Sequence, residues 1–193
     1  MQEPGSDSER TGRTPEVAGS ASRVLDADPA LSAYLNDHLA GSAAGVQLAK
    51  RCGQAHQGSH LGQYLGDLVG EIEEDRGVLQ RVMTQVGAQS NPVKQAGALG
   101  AEFLTRLKHL TPLLGSGSTV ARLEEIELLS LGIEGKRLLW GLLNELAGSD
   151  DRLQGFDFTA LGERARTQRD GLEPFRIELG IAACGRISSA GPT

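Results

Sequence analysis

Residues 28–87 read DPALSAYLNDHLAGSAAGVQLAKRCGQAHQGSHLGQYLGDLVGEIEEDRGVLQRVMTQVG, which is two long helical segments around one tight turn. Asp28-Pro29 offers an N-cap acceptor followed by proline at the first helical position. Gly58-Ser59 ends the first segment and caps the second. No stretch alternates with period two, so no strand is expected. These signals predict two antiparallel helices, over about residues 29–57 and 60–86.

The same start and stop signals recur in the second half of the chain. Asn91-Pro92 opens a shorter helix, and Ser118 and Asp157 can cap two further long helices. At about 1.5 Å per residue, each of the four long helices reaches roughly 40 Å. Equal lengths favour an all-α four-helix bundle. The helices expected in this half cover about residues 92–110, 119–147 and 158–184.

The connection between the second and third long helices decides the topology. A helix over 92–110 is long enough to carry the chain most of the way along the bundle, as in the one-crossover, ferritin-like connection. Up-and-down topology, with the short helix packed across one end, is the alternative. Within the last helix, Pro174 predicts a kink or break near Phe175.

Length and composition predict one domain with polar ends. A chain of 193 residues suggests a single core, expected over residues 28–185. Residues 1–27 and 186–193 are polar and rich in Gly and Ser, which is typical of disordered tails. The first tail lacks the apolar region of a secretion signal, and no uncharged run is long enough to span a membrane.

Charge and cysteine content exclude several classes of protein. The net charge of −6 argues against binding nucleic acid through phosphate contacts. Cys52 and Cys184 are the only two cysteines and lie far apart, which excludes a disulfide scaffold or a zinc ribbon. The expected location is therefore the reducing cytoplasm.

Several ionisable residues fall on the predicted inward faces of the helices. At 100° per residue, His38 joins the apolar face of the first helix, Asp75 joins that of the second, and Glu71 lies at its border. The third helix is apolar almost all round, and its chosen inward line carries Leu131, Leu138 and Leu142 together with Glu127 and Glu134. We therefore expect one imidazole and up to four carboxylates in the core.

Buried carboxylates need a compensating cation, and two kinds of cation are open. One is a divalent metal such as iron, manganese or zinc. Its ligands would be His38, Glu71, Asp75, Glu127 and Glu134. The other is a buried salt-bridge network, for which Arg164 and Arg176 flank the inward face of the last helix.

Four segments of the chain are LNDHLAG at 35–41, EIEEDR at 71–76, NPVKQA at 91–96 and LGIEGK at 131–136. Together they resemble a bacterial family of ferritin-like helical bundles. The resemblance covers about residues 30–180 and implies the ferritin-like fold. Such di-iron proteins use a Glu on two helices and Glu-x-x-His on the other two. This chain has no Glu-x-x-His, so the resemblance implies ferritin-like ancestry with metal chemistry lost or altered.

Paired glycines suggest an interaction role. Glycines recur at three- or four-residue spacing inside three of the predicted helices, and each costs up to about 1 kcal/mol relative to Ala. Close approach of helices, within the bundle or between chains, would compensate that cost. The glycines are Gly41, Gly45, Gly66, Gly70, Gly132 and Gly135.

Three functions remain open at this point. The first is a structural, assembly or regulatory bundle that forms homo-oligomers and has a buried ionic core. The second is a metal-binding protein or oxidoreductase with an atypical site in the bundle core. The third is small-ligand binding in the core, which no residue pattern selects.

Overall fold

The computed structural model describes residues 28–89 and 118–185, which contain four long helices and no strand. A short 3-10 turn at Asp151–Leu153 precedes the last helix. The helix predicted over 92–110 and the two tails lie outside the described residues. The four helices are α1 (Pro29–Ala55), α2 (His60–Val86), α3 (Thr119–Leu146) and α4 (Phe158–Cys184).

Each helix begins where the sequence predicts it, because a side-chain oxygen accepts a backbone N–H in the first turn. The four caps are Asp28 to Ala30 at 2.7 Å, Ser59 to Gly62 at 3.1 Å, Ser118 to Ala121 at 3.1 Å and Asp157 to Ala160 at 2.9 Å. α2 ends at Gly87 in the left-handed conformation, with a φ of 76°. α1 and α3 end one or two residues earlier than expected.

Of the kink or break predicted at Pro174, the break is wrong, because α4 continues through the proline to Cys184. Pro174 lacks the N–H that would bond to the preceding turn. Contacts with α3 hold the helix on both sides of the proline, through Arg169 to Glu134 and Arg176 to Glu127. Tertiary contacts therefore preserve the helix despite the missing hydrogen bond.

Contacts along α4 establish the helix directions. As α4 proceeds, its partners lie at successively earlier positions on both α2 and α3, so α4 is antiparallel to each. The contacts are Arg164–Asp75 and Gln168–Tyr64 on α2, and Arg169–Glu134 and Arg176–Glu127 on α3. α2 and α3 are therefore parallel, and the end of one and the start of the other lie at opposite ends of the bundle. Up-and-down topology requires α2 and α3 to be antiparallel, so this alternative is wrong.

The helices pack most closely as two pairs, α1 with α2 and α3 with α4. α1 also packs against α3, though over fewer residues. Leucines from all four helices or their connections fill the core, and Trp140 stacks on Phe158 with ring centroids 6.1 Å apart. No described helix has the length and hydropathy needed to cross a membrane.

Candidate functional site

A polar cluster lies between α2, α3 and α4, and we call it the ion network: Glu71, Asp75, Lys136, Arg164 and Gln168. Asp75 is only 2% exposed. The Lys136 ammonium donates to Asp75 Oδ2 and to Gln168 Oε1, both at 2.5 Å. The Arg164 guanidinium pairs with the other Asp75 oxygen. Both oxygens of the buried carboxylate therefore contact a cation.

Gln168 links the two carboxylates of the network. Its side-chain amide donates to Glu71 Oε2 at 2.7 Å and lies 3.5 Å from Asp75 Oδ2. The Tyr64 hydroxyl donates to the Gln168 backbone carbonyl at 2.6 Å. Three helices thus contribute to one set of hydrogen bonds, as a buried polar group requires.

Burial and ion pairing act in opposite directions on Lys136. Burial lowers the pKa of Lys136 below its ordinary value of 10.5, and the Asp75 carboxylate opposes that change. The two carboxylates, the ammonium and the Arg164 guanidinium carry equal numbers of negative and positive charges. Balanced charge is the condition under which a buried ion network is tolerated.

The structure brings together only part of the predicted set of site residues. Glu71 and Asp75 share the ion network, and Arg164 supplies a cation to it as the salt-bridge alternative predicted. The interior placement of Glu127 and Glu134 is wrong: their side chains are 44% and 27% exposed.

Arginines at the α3–α4 surface neutralise those two glutamates. Glu134 accepts from Arg137 and Arg169, both at 2.6 Å, and the Arg137 hydrogen bond lowers the pKa of Glu134 below 4.5. Arg176 contacts Glu127 at 3.3 Å, so it pairs at this surface rather than in the core.

The face of α3 that was predicted to point inward is in fact its exposed face. Leu131, Leu138 and Leu142, taken as inward, are 67%, 56% and 42% exposed. Because apolar residues lie on almost every side of α3, their spacing does not distinguish the inward face from the outward one. The line that is inward carries Ile126, Leu129, Ile133, Lys136 and Trp140. That three-and-four spacing was the signal that could have identified Lys136.

The ion network fits a metal poorly, because two protein cations already contact Asp75. A divalent ion there would meet the ammonium and guanidinium at close range, and like charges repel strongly at low dielectric. Within residues 28–89 and 118–185, no three His, Cys, Asp or Glu side chains form a group suited to a metal ion.

His38 lies apart from the ion network and lines a groove between α1 and α3. It meets Tyr34 edge-on, with ring centroids 4.6 Å apart. Burial lowers the pKa of His38 below its ordinary value of 6.5, while neighbouring Asp37 opposes that change. His38 and Asp75 both line the groove.

That groove, which we call the apolar groove, lies between α1 and α3, with α2 as its floor, and has a volume of about 580 Å³. Glycines from both flanking helices line it: Gly41, Gly45, Gly132 and Gly135. A Cβ added at any of the four would meet no atom within 4 Å. Close helix approach within the bundle is therefore the wrong explanation for these glycines, which instead leave the groove open.

Cys52 is a core residue of α1. It is 1% exposed, and burial, followed by the nearby Glu125 carboxylate, raises its pKa to about 12. A thiol at that pKa carries almost no thiolate at neutral pH and is not an activated nucleophile.

Comparisons with protein families, with curated proteins and with solved structures find no match for this chain.

Proposed function

We propose that the chain is a ferritin-like helical bundle with a structural, assembly or regulatory role, in which buried ion pairs replace a metal centre. The parallel direction of α2 and α3 supports the ferritin-like part, since one crossover connection produces that order. The resemblance over residues 30–180 supports it independently.

The Lys136 ammonium is the observation that carries this proposal. It lies 2.5 Å from Asp75 Oδ2 and from Gln168 Oε1, between facing helices of the bundle. Ferritin-like proteins also build their metal sites from inward-facing side chains on facing helices. A lysine needs no metal supply and does not change oxidation state. The interior carboxylates are therefore suited to joining α2, α3 and α4 rather than to redox turnover.

Metal content and thermal melting test the replacement of metal by ion pairs. Protein produced with iron, manganese and zinc in the medium, and purified without chelator, should hold each metal well below one ion per chain. Neither chelator nor added metal should shift the melting temperature. Stoichiometric metal, together with a lower melting temperature in chelator, would contradict the proposal and favour the metal-binding alternative.

Lys136→Met and a matched lysine variant extend that test. Removing the ammonium leaves Asp75 with one cation fewer, so Lys136→Met should melt at a much lower temperature in chelator. Lys50→Met removes a half-exposed lysine that pairs with Glu73 at 2.7 Å and should have little effect. Equal melting temperatures for Lys136→Met and Lys50→Met would contradict a structural role for the buried lysine.

The outer face of α3 supports an assembly role. Leu131, Leu138 and Leu142 form one exposed apolar line, with spacings of seven and four residues. Such a line on a soluble helix marks a surface that another molecule covers. We expect light scattering to detect a homo-oligomer that Leu138→Glu dissociates, with Glu145→Gln on the same helix as the control. A wild-type monomer at working concentration would contradict this part of the proposal.

A further inference from the structure

Two buried hydrogen-bond donors along the apolar groove have no acceptor. Trp140 is 1% exposed, and its indole N–H makes no hydrogen bond within the described residues. The Arg76 Nε is also buried without a partner. Both residues line the groove. Since leaving a buried donor without an acceptor destabilises a protein, two such donors along one cavity require an explanation.

Arg76 is also a cation that no described carboxylate neutralises. Its neighbour in sequence, Asp75, already contacts Lys136 and Arg164. Asp37, at the rim of the groove, is exposed to solvent. The groove therefore presents an unneutralised guanidinium and an unused indole N–H, and both favour an oxygen acceptor with negative charge.

Away from these donors, from His38 and from the Asp75–Lys136 pair, the groove is lined mainly by apolar residues and is elongated. The tight turn at residues 56–59 makes α1 antiparallel to α2, and α2 is parallel to α3, so α1 and α3 are antiparallel. Counted from the Cys52–Glu125 contact, Tyr34 and His38 lie level with Trp140, whereas Leu48 lies level with Leu128 at the other end. Twelve residues of α3 separate these levels, or roughly 18 Å. The four glycines line the stretch between these levels, and leucines line it at the Leu48 end. Its shape and chemistry fit a flexible apolar chain.

We propose that the apolar groove binds a single-chain amphipathic carboxylate of the fatty-acid class, with its head at Arg76 and Trp140 and its chain between the glycines of α1 and α3. A carboxylate has two acceptor oxygens for the two unpaired donors. The volume of about 580 Å³ lies within the usual range for small-ligand sites. Because the four glycines have no side chains, the acyl chain has space between α1 and α3.

Fluorescence can test this proposal, because Trp140 is the only tryptophan in the chain. Full-length protein is titrated with dodecanoate and palmitate below their micelle concentrations, and with dodecanol as a neutral-headed control. We expect a saturable change in Trp140 emission, with at least tenfold tighter binding of dodecanoate than of dodecanol. No saturable change, or equal affinity for acid and alcohol, would overturn the proposal.

Two pairs of variants separate recognition of the head from recognition of the chain. Arg76→Met should weaken dodecanoate binding at least tenfold and leave dodecanol unchanged, whereas Arg81→Met on the same helix should change neither. Gly132→Leu should abolish both by filling the groove, whereas Gly66→Leu, on the exposed side of α2, should not. Circular dichroism confirms that each variant is folded. Retention of wild-type affinity by Gly132→Leu would show that the ligand lies elsewhere, as it must if a second copy or another segment of this chain fills the groove.

Discussion

The two sides of the bundle interior differ in how their charged groups are paired. Between α2, α3 and α4, each charged side chain of the ion network pairs with a neighbour, although the Nε of Arg164 lacks a partner. Between α1 and α3, the Arg76 Nε and the Trp140 indole N–H are buried without one. The ion pairs on the first side therefore join helices of the same chain, whereas the unpaired donors on the second side can bind a ligand.

Asp75→Asn should disrupt the ion network and cause the largest loss in the free energy of unfolding. It leaves Lys136 and Arg164 without a full counter-charge in a buried position, and breaking a buried pair costs about 3–5 kcal/mol. Glu134→Gln makes the same change at a partly exposed pair and should cost about 1 kcal/mol or less. Urea denaturation measures both, and equal losses would contradict the contrast.

Variants of two arginines, one in the ion network and one in the apolar groove, compare the two sides directly. Arg164→Met removes the hydrogen bonds to Asp75 and Glu74, and bonds to charged groups contribute about 1.5–3 kcal/mol. Arg76→Met removes a guanidinium that has no ion-pair partner among residues 28–89 and 118–185, together with its unpaired buried Nε–H. It should therefore not destabilise the protein and should raise the free energy of unfolding by up to about 1–3 kcal/mol. A loss of stability in Arg76→Met would mean that Arg76 is paired within the protein.

Glycine substitutions should have opposite signs in the two regions. Gly135→Ala places a Cβ in open space along the groove and should stabilise the protein by about 0.5–1 kcal/mol through helix propensity. Gly171→Ala places a Cβ 2.8 Å from Tyr64 Cζ and should destabilise by about 1–3 kcal/mol. Thermal melts of both variants measure the difference. Destabilisation by Gly135→Ala would show that the groove is closed in solution.

His38 should give the smallest effect, and it depends on pH. Because the pKa of His38 is lowered in the folded protein, the unfolded chain binds the proton first as pH falls from 6.5. Stability should therefore fall through that window, and less so in His38→Gln. Arg76, Lys136 and Asp37 also line the groove and set the local field. Denaturation at pH 7 and pH 5 measures the change, with His60→Gln as the control. Identical pH dependence in wild type and His38→Gln would contradict the expectation.

The sequence predicts local features of this fold better than the partners in its core. Cap residues such as Asp28 and Ser59 act within one turn, so they identify helix starts without tertiary information. Asp75 was placed correctly because polar residues surround the apolar face of α2 and define it. α3 offers no such contrast, and Lys136 was missed for that reason.

The groove could not be predicted, because it depends on what surrounds each residue rather than on the residue itself. Gly132 and Gly171 look alike in sequence, yet one faces open space and the other faces Tyr64. Arg76 and Arg164 are likewise equivalent until the position of Asp75 is known. Only the packing of three helices distinguishes them.

The Lys136 ammonium holds the buried Asp75 carboxylate in place. A double-mutant cycle on these two residues, measured in chelator, tests that pairing. Asp75→Asn, Lys136→Met and the double variant should therefore give an interaction energy of about 1–3 kcal/mol, typical of residues in one ion network. Additivity within about 0.5 kcal/mol would mean that the two groups do not stabilise each other, and would contradict the account.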